Sequence, residues 1–167
     1  GVTAMEDKRK SIIQNILIFV FVFTLVRYVF TNIFGIAVVS GSSMLPTYHN
    51  GQIVLFTRTE DISFGDVIIA DTQEKYVIKR VIALTGDTVN LVGNKVIING
   101  FVIDESDYIS QETATVAQTV EMPHTVSKNS YFVLGDNRIV SLDSRFTEVG
   151  DIPKSQIKGK VILSLTK

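Results

Sequence analysis

Lys75–Leu84 reads KYVIKRVIAL, a run of strand length whose Val77, Ile78, Val81 and Ile82 are β-branched. Strand alternation puts Lys79 on one face with Val77 and Val81, and Arg80 on the other with Ile78 and Ile82. Similar Val/Ile-rich runs recur on either side: GIAVVS (Gly35–Ser40), QIVLFT (Gln52–Thr57), DVIIAD (Asp66–Asp71), SYFVLGD (Ser130–Asp136) and GKVILSL (Gly159–Leu165). Asn50-Gly51, Phe64-Gly65-Asp66 and Thr85-Gly86-Asp87 supply the breaks between them. KVIINGFVI (Lys95–Ile103) is the clearest hairpin, with Asn99-Gly100 offering the two positive-φ positions of a tight turn. No helical period of comparable strength follows residue 40. Short strands at close spacing predict a mainly β fold, an antiparallel barrel or sandwich. Glu105 to Lys128 is polar and rich in Thr and Ser, and reads as a surface excursion or long loop.

The N-terminal part differs in kind. Ser11–Val26, SIIQNILIFVFVFTLV, carries no charge, and after Arg27 the chain stays largely apolar to Val39. A helix needs ~20 residues to cross a ~30 Å hydrocarbon core, so this segment suffices if Arg27 snorkels to an interface beside Tyr28. A cleavable signal peptide has an apolar core of only ~7–15 residues followed closely by a small-residue site, and none follows here. A buried helix of a soluble core would need other helices around it, and the chain offers none. Lys8, Arg9 and Lys10 precede the span, which predicts a cytoplasmic N-terminus and an extracytoplasmic remainder in a single-pass membrane protein. Gly1–Ala4, ahead of Met5, read as a cloning remnant. The expected layout is 1–10 remnant and cytoplasmic N-terminus, 11–34 anchor in the lipid bilayer, and 35–167 β-rich catalytic domain.

Composition narrows the chemistry. A formal net charge of −1 over 167 residues gives no pull toward nucleic acid. Without cysteine there is no thiol nucleophile or disulfide, and with only His49 and His124 a multi-histidine metal centre is not expected. No cofactor is implied.

Serine is the nucleophile type that remains conspicuous. Val38–Thr47, VVSGSSMLPT, holds Ser40, Ser42 and Ser43 in four positions, as an ordinary turn or as the home of a reactive hydroxyl. A serine nucleophile needs a base, and Gly41–Leu45 lacks the second glycine of the G-x-S-x-G elbow. His49 lies in the polar turn TYHNG and His124 in the polar excursion, where a histidine is more often a solvated residue than a base. A lysine serves only when neutral, with its pKa brought from ~10.4 toward ~7–8, at a cost of roughly 4 kcal/mol. Desolvation does this, so such a lysine belongs in apolar company. Lys8, Lys10, Lys128, Lys154 and Lys158 sit among polar residues, whereas Lys79 sits inside YVIKRVIAL. Periodicity alone leaves two readings of Lys79, a solvent-facing lysine on an edge strand or a buried base.

Three stretches together resemble a known family. SGSSMLPT (Ser40–Thr47), YVIKRVIALTGD (Tyr76–Asp87) and LGDNRIVSLDSR (Leu134–Arg145) are similar, in order and spacing, to the signature boxes of bacterial type I signal peptidases. The single preceding span and short chain resemble the Gram-positive form. The resemblance covers most of the chain from Gly35 onward, apart from about Asp104 to Ser127. It implies Ser43 as nucleophile, Lys79 as general base and Ser141 as the hydroxyl that orients the lysine. It also implies Asp143 and Arg145 as an ion pair beneath the site, with Gly135, Asp136, Asn137 and Arg138 as the supporting turn that leads into it. The implied activity is removal of signal peptides from exported preproteins at Ala-x-Ala-type sites, the substrate bound as an added strand. Met44, Ile78 and Val39 are the expected pocket walls.

Departures from the family pattern accompany the match. Some members carry a serine oxyanion donor where this chain, like many Gram-positive relatives, has Gly41, which leaves the second donor unnamed. Ala83 and Thr85 replace a common glycine and proline, and Gly150 falls two positions late. The alternative function is a signal-peptidase-like binding factor, for example in pilus assembly, with or without cleavage. A self-cleaving repressor-type serine-lysine protease is soluble and carries a DNA-binding head. The last reading is a secreted β-domain on an uncleaved anchor, without chemistry.

Overall fold

The computed structural model describes residues 2–72, 75–109 and 119–166, with side chains from Asp7 onward. The chain divides into two compact units, Gly1–Gly35 and Ile36–Lys167.

The first unit is essentially one helix, α1 (Val2–Asn32), whose stretch Asp7–Asn32 is long and apolar enough to cross a membrane. Its large apolar side chains from Ile12 to Phe30, Val29 apart, are exposed. Its polar side chains turn inward on the backbone: Thr24 Oγ1 donates to the Val20 and Phe21 carbonyls, and Thr31 Oγ1 to those of Arg27 and Tyr28. Hydroxyls satisfied within the helix need no partner from the surroundings, as an apolar medium requires.

The second unit is mainly β. Its strands are β1 (Phe34–Val38), β2 (Ile53–Thr57), β3 (Val67–Asp71), β4 (Tyr76–Ala83), β5 (Thr88–Val92), β6 (Lys95–Ile98), β7 (Phe101–Val102), β8 (His124–Thr125), β9 (Ser130–Leu134), β10 (Ile152–Pro153) and β11 (Ile157–Ser164). A seven-stranded sheet runs β1-β2-β11-β3-β4-β9-β10, and a four-stranded sheet runs β7-β6-β5-β8. The pairs from β2 to β10 in the large sheet, and all three in the small one, are antiparallel. Asn99 (φ 52°) and Gly100 (φ 86°) make the tight turn between β6 and β7.

Strands β4 and β9 form the centre, because both faces of each are covered. Ile82, Ala83, Phe132 and Leu134 join Val89, Val96, Ile98 and Val126 in one core. Val81, Tyr131 and Val133 join Ile62, Ile68, Ala70 and Ile152 in the other. All five residues of β9 are therefore buried, which is why SYFVL shows no polar alternation. β4 lies between β3 and β9, not at an edge, so the solvent-facing reading of Lys79 is overturned.

The polar stretch after Asp104 is more integrated than a surface loop. Residues 110–118 fall outside the described residues. On either side of them, Glu105 and Val126 are buried, Met122 packs on the core, and His124–Thr125 pairs with β5. Composition misleads here because Glu105 is polar yet paired, and a paired charge tolerates burial. β5 also has no counterpart among the expected strands, since Thr88 and Asn90 dilute its apolar signal.

Candidate active site

Two segments bring the chemistry together. The loop after β1 carries Ser43, and β4 of the same seven-stranded sheet carries Lys79. Gly41 opens the loop with φ 86°, a left-handed conformation that a side chain would strain, and its N–H donates to Asn50 Oδ1 at 2.8 Å. That N–H is therefore occupied. Lys79 is 6% exposed and its Nζ donates to Ser43 Oγ at 2.8 Å. Ser43 is the member of the Ser40-Ser42-Ser43 cluster whose hydroxyl meets the amine. Burial pulls the Lys79 amine down from 10.5 to about 8; Asp143 and Asp136 oppose this, while Lys75 and Arg145 add to it.

The turn expected to lead into the site grips the Ser43 loop by its backbone. Asn137 N–H donates to the Ser43 carbonyl at 3.0 Å, and Asn137 Nδ2 to the Ser42 carbonyl at 3.2 Å. Gly135 lies against both Ser43 and Ser141, so that a Cβ would overlap the Ser43 carbonyl and Ser141 Oγ. Ser141 Oγ is buried and makes no hydrogen bond among the described residues, to Lys79 or to any other group. Beneath the turn, Arg145 Nε and Nη2 donate to Asp143 Oδ1 and Oδ2 at 2.7 and 3.0 Å, and Asp143 Oδ2 also accepts from Gly135 N–H. Both side chains are essentially inaccessible, and the fork geometry with a further backbone bond is what makes a buried pair tolerable.

Asp136 and Arg138 reach outward to partners that the sequence did not indicate. Asp136 accepts from Arg80 Nε and Nη2 at 2.8 and 2.6 Å and from Thr47 Oγ1 at 2.5 Å. The Arg80 guanidinium also lies over the Tyr108 ring, 4.0 Å from its centroid. Arg138 forks onto Glu105 at 3.0 and 2.6 Å, and Tyr108 Oη donates to the same carboxylate at 2.9 Å. The alternation of β4 held a hint of this: Arg80 shares its face with Ile78 and Ile82, so it needs a counter-ion.

Val39 and Met44 are buried and, with Ile78, Ala37 and Ile69, line an open cleft of about 510 Å³ that contains Ser43 and Lys79. The histidines lie elsewhere. His49 serves its turn through its backbone N–H to Gln52 Oε1, and His124 Nε2 pairs with Asp151 at 2.9 Å. Among the described residues no group of His, Asp and Glu is arranged to hold a metal ion. A hydroxyl in contact with a desolvated amine, beside an apolar cleft, suits acyl transfer through a serine ester.

The sequence pattern described as "Signal peptidase, peptidase S26" matches residues 10–166. Signal peptidase I S of Bacillus subtilis (strain 168) is 34% identical over 164 residues, covering 92% of this chain and 88% of the relative. Signal peptidase I of Bacillus licheniformis is 33% identical over 165 residues, with the same shares of 92% and 88%. The crystal structure of a signal peptidase I from Enterococcus faecalis V583 aligns with TM-score 0.49 and 27% identity, over 62% of this chain and 97% of that one.

Proposed function

Since the chain belongs to the signal peptidase family, peptidase S26, and is a serine endopeptidase that removes signal peptides from exported preproteins, we propose that Ser43 is its nucleophile and Lys79 its general base. The observation that carries this reading is the 2.8 Å contact from a buried, depressed-pKa lysine to one serine of a cluster of three.

Neutral Lys79 takes the Ser43 hydroxyl proton as Oγ bonds to the scissile carbonyl carbon. The Lys79 ammonium then protonates the leaving nitrogen, the C–N bond breaks, and an ester joins the signal peptide to Ser43. Water attacks that ester while Lys79 accepts its proton. The signal peptide leaves as a carboxylate and Ser43 regains its hydrogen. Ser43 N–H points the loop's own dipole at the developing oxyanion. Gly41 cannot be the second donor by side chain, and its N–H is taken by Asn50. Val39, Met44 and Ile78 favour small side chains such as those of Ala-x-Ala sites, and the substrate runs through the cleft as an added strand. Ser141, whose buried hydroxyl has no hydrogen-bond partner among the described residues, would orient the lysine amine. Asp143, Arg145, Asp136 and Arg138 hold the turn in place.

The apolar helix supports membrane anchoring, which the family shares. The finer topology we assign is a single pass with residues 1–10 cytoplasmic, 11–34 in the bilayer and 35–167 outside, as Lys8, Arg9 and Lys10 indicate. The assembled serine-lysine contact argues against a binding-only scaffold.

The test is cleavage of a signal-bearing preprotein in detergent micelles by the wild type, Lys79→Ala, Lys79→Arg and Ser43→Ala. All three variants should be inactive, Lys79→Arg because a guanidinium does not deprotonate near neutrality. Wild-type product from any variant would sink the assignment.

A further inference from the structure

The dyad faces two hollows. The cleft described above touches both Ser43 and Lys79. A second cavity, of about 380 Å³, touches Lys79 but not Ser43, and shares Lys75, Val77 and Leu142 with the first. Beyond those shared residues it extends to Thr72, Glu148 and Gln156. The chemistry distinguishes the two. The acyl carbon must lie at Ser43, whereas the leaving nitrogen must lie at the amine that protonates it. A hollow bounded by the amine and not by the hydroxyl is therefore on the leaving-group side of the bond.

We propose that this second cavity receives the first residues of the mature polypeptide, with Lys75 and Glu148 selecting their charge. The assignment rests on the serine-lysine reading of the site. Lys75 borders both hollows and its charge reaches Lys79, which puts it on the side of the cut, while Glu148 borders only the second. Both side chains are exposed, and neither has an ion-pair partner among the described residues. Each is thus free to pair with a substrate. The floor is apolar, from Val77, Val133 and Ile152, and the rim is polar, from Thr72 and Gln156. That lining suits a soluble chain's mixed sequence better than the small apolar residues of the cleft. An acidic residue just after the cut meets Lys75, and a basic residue farther along meets Glu148.

The experiment uses the full chain in detergent micelles and peptide substrates with one fixed signal side. Asp, Asn or Lys is placed in turn at each of the first three positions after the cut. Ratios of kcat/KM between substrates are compared, because any shared change at Lys79 cancels in a ratio. Wild type should prefer Asp over Lys at the position nearest the cut by roughly 5-fold, the size an exposed ion pair supplies. Lys75→Glu should invert that preference, and Glu148→Lys should invert the opposite preference at a later position. Should Lys75→Glu lose all activity, the Glu148→Lys comparison decides alone. Asp/Lys ratios that agree within about 2-fold among the enzymes at every position overturn the proposal while leaving the serine-lysine mechanism intact. If Ser43→Ala or Lys79→Ala cleaves the panel as well as wild type, the mechanism fails and the subsite falls with it.

Discussion

The pH dependence of cleavage follows from the burial of Lys79. Its amine is brought down from 10.5 to about 8, which at ~1.36 kcal/mol per pH unit is about 3 kcal/mol of disfavoured charge. At pH 7 roughly one Lys79 in ten is neutral, against roughly one in 3,000 for an ordinary lysine, so burial raises the reactive fraction by ~300-fold. The acidic limb of kcat/KM, which reports the free enzyme, should therefore bend near pH 8. Substrate in the cleft removes further water from the amine, so the limb of kcat should lie at lower pH. Val77 shares the Lys79 face of β4 and borders both hollows. Val77→Ala would admit water beside the amine and restore part of its charge stabilisation. The kcat/KM limb should then move up by about half to one pH unit, costing ~3- to 10-fold at pH 7 and little at pH 10. Initial rates on one peptide from pH 5.5 to 10.5, with both enzymes in the same micelles, measure this. A wild-type limb near pH 10, where an ordinary lysine titrates, or a Val77→Ala loss that is equal at every pH, would refute desolvation as the reason the amine is neutral.

Other expectations are structural. Because the folded pKa of Lys79 is depressed, the unfolded chain binds more protons between about pH 8 and 10.5, so the penalty is full below pH 8 and relieved as pH rises through that window. Lys79→Met should consequently abolish cleavage yet raise stability at pH 7 by about 2 kcal/mol after loss of the Ser43 contact, with the gain gone by pH 10.5; denaturant melts at the two pH values check it. Glu105→Ala removes the carboxylate on which Arg138 forks and to which Tyr108 donates, leaving a buried cation short of its counter-ion. It should cost about 3 kcal/mol in the same melts. Gly135→Ala forces Ser141 and the Ser43 carbonyl apart and should lower kcat by more than ~100-fold with a stability cost of only about 1–3 kcal/mol. A Gly135→Ala enzyme of normal kcat would mean that this contact does not set the nucleophile's position.

What could be read beforehand depended on how local the cause was. Lys79 was legible in part: an apolar strand around one cation is a sequence feature, but whether that strand lies at an edge or inside the sheet is not. The hairpin at Asn99-Gly100 was legible because its cause is local. Ser43 was not separable from Ser40 and Ser42 by composition, and only the resemblance singled it out before the 2.8 Å contact did. The Arg80–Asp136 and Arg138–Glu105 pairs bridge 56 and 33 residues, and nothing local in the chain records such a distance. Glu105 was misplaced as surface because a charge looks solvated until its partner is known. The role of Ser141 came from the resemblance alone, and its buried hydroxyl makes no hydrogen bond to the amine among the described residues.

Consecutive residues of β4 thus have opposite needs. Lys79 must lose its proton readily, and Arg80 must keep its charge to hold Asp136 and, through it, Thr47 of the nucleophile loop. In a helix the two side chains would stand only about 100° apart around the axis. In a strand the pleat sends them to opposite faces, one packed with Val77 and Val81, the other supplied with a carboxylate and a tyrosine ring. Asp136 still nudges the Lys79 amine toward charge, while its two oxygens are engaged by the Arg80 fork. The β architecture thus lets a readily deprotonated amine and a permanent cation stand one residue apart, the first against the Ser43 hydroxyl and the second anchoring, through Asp136 and Thr47, the loop that carries Ser43.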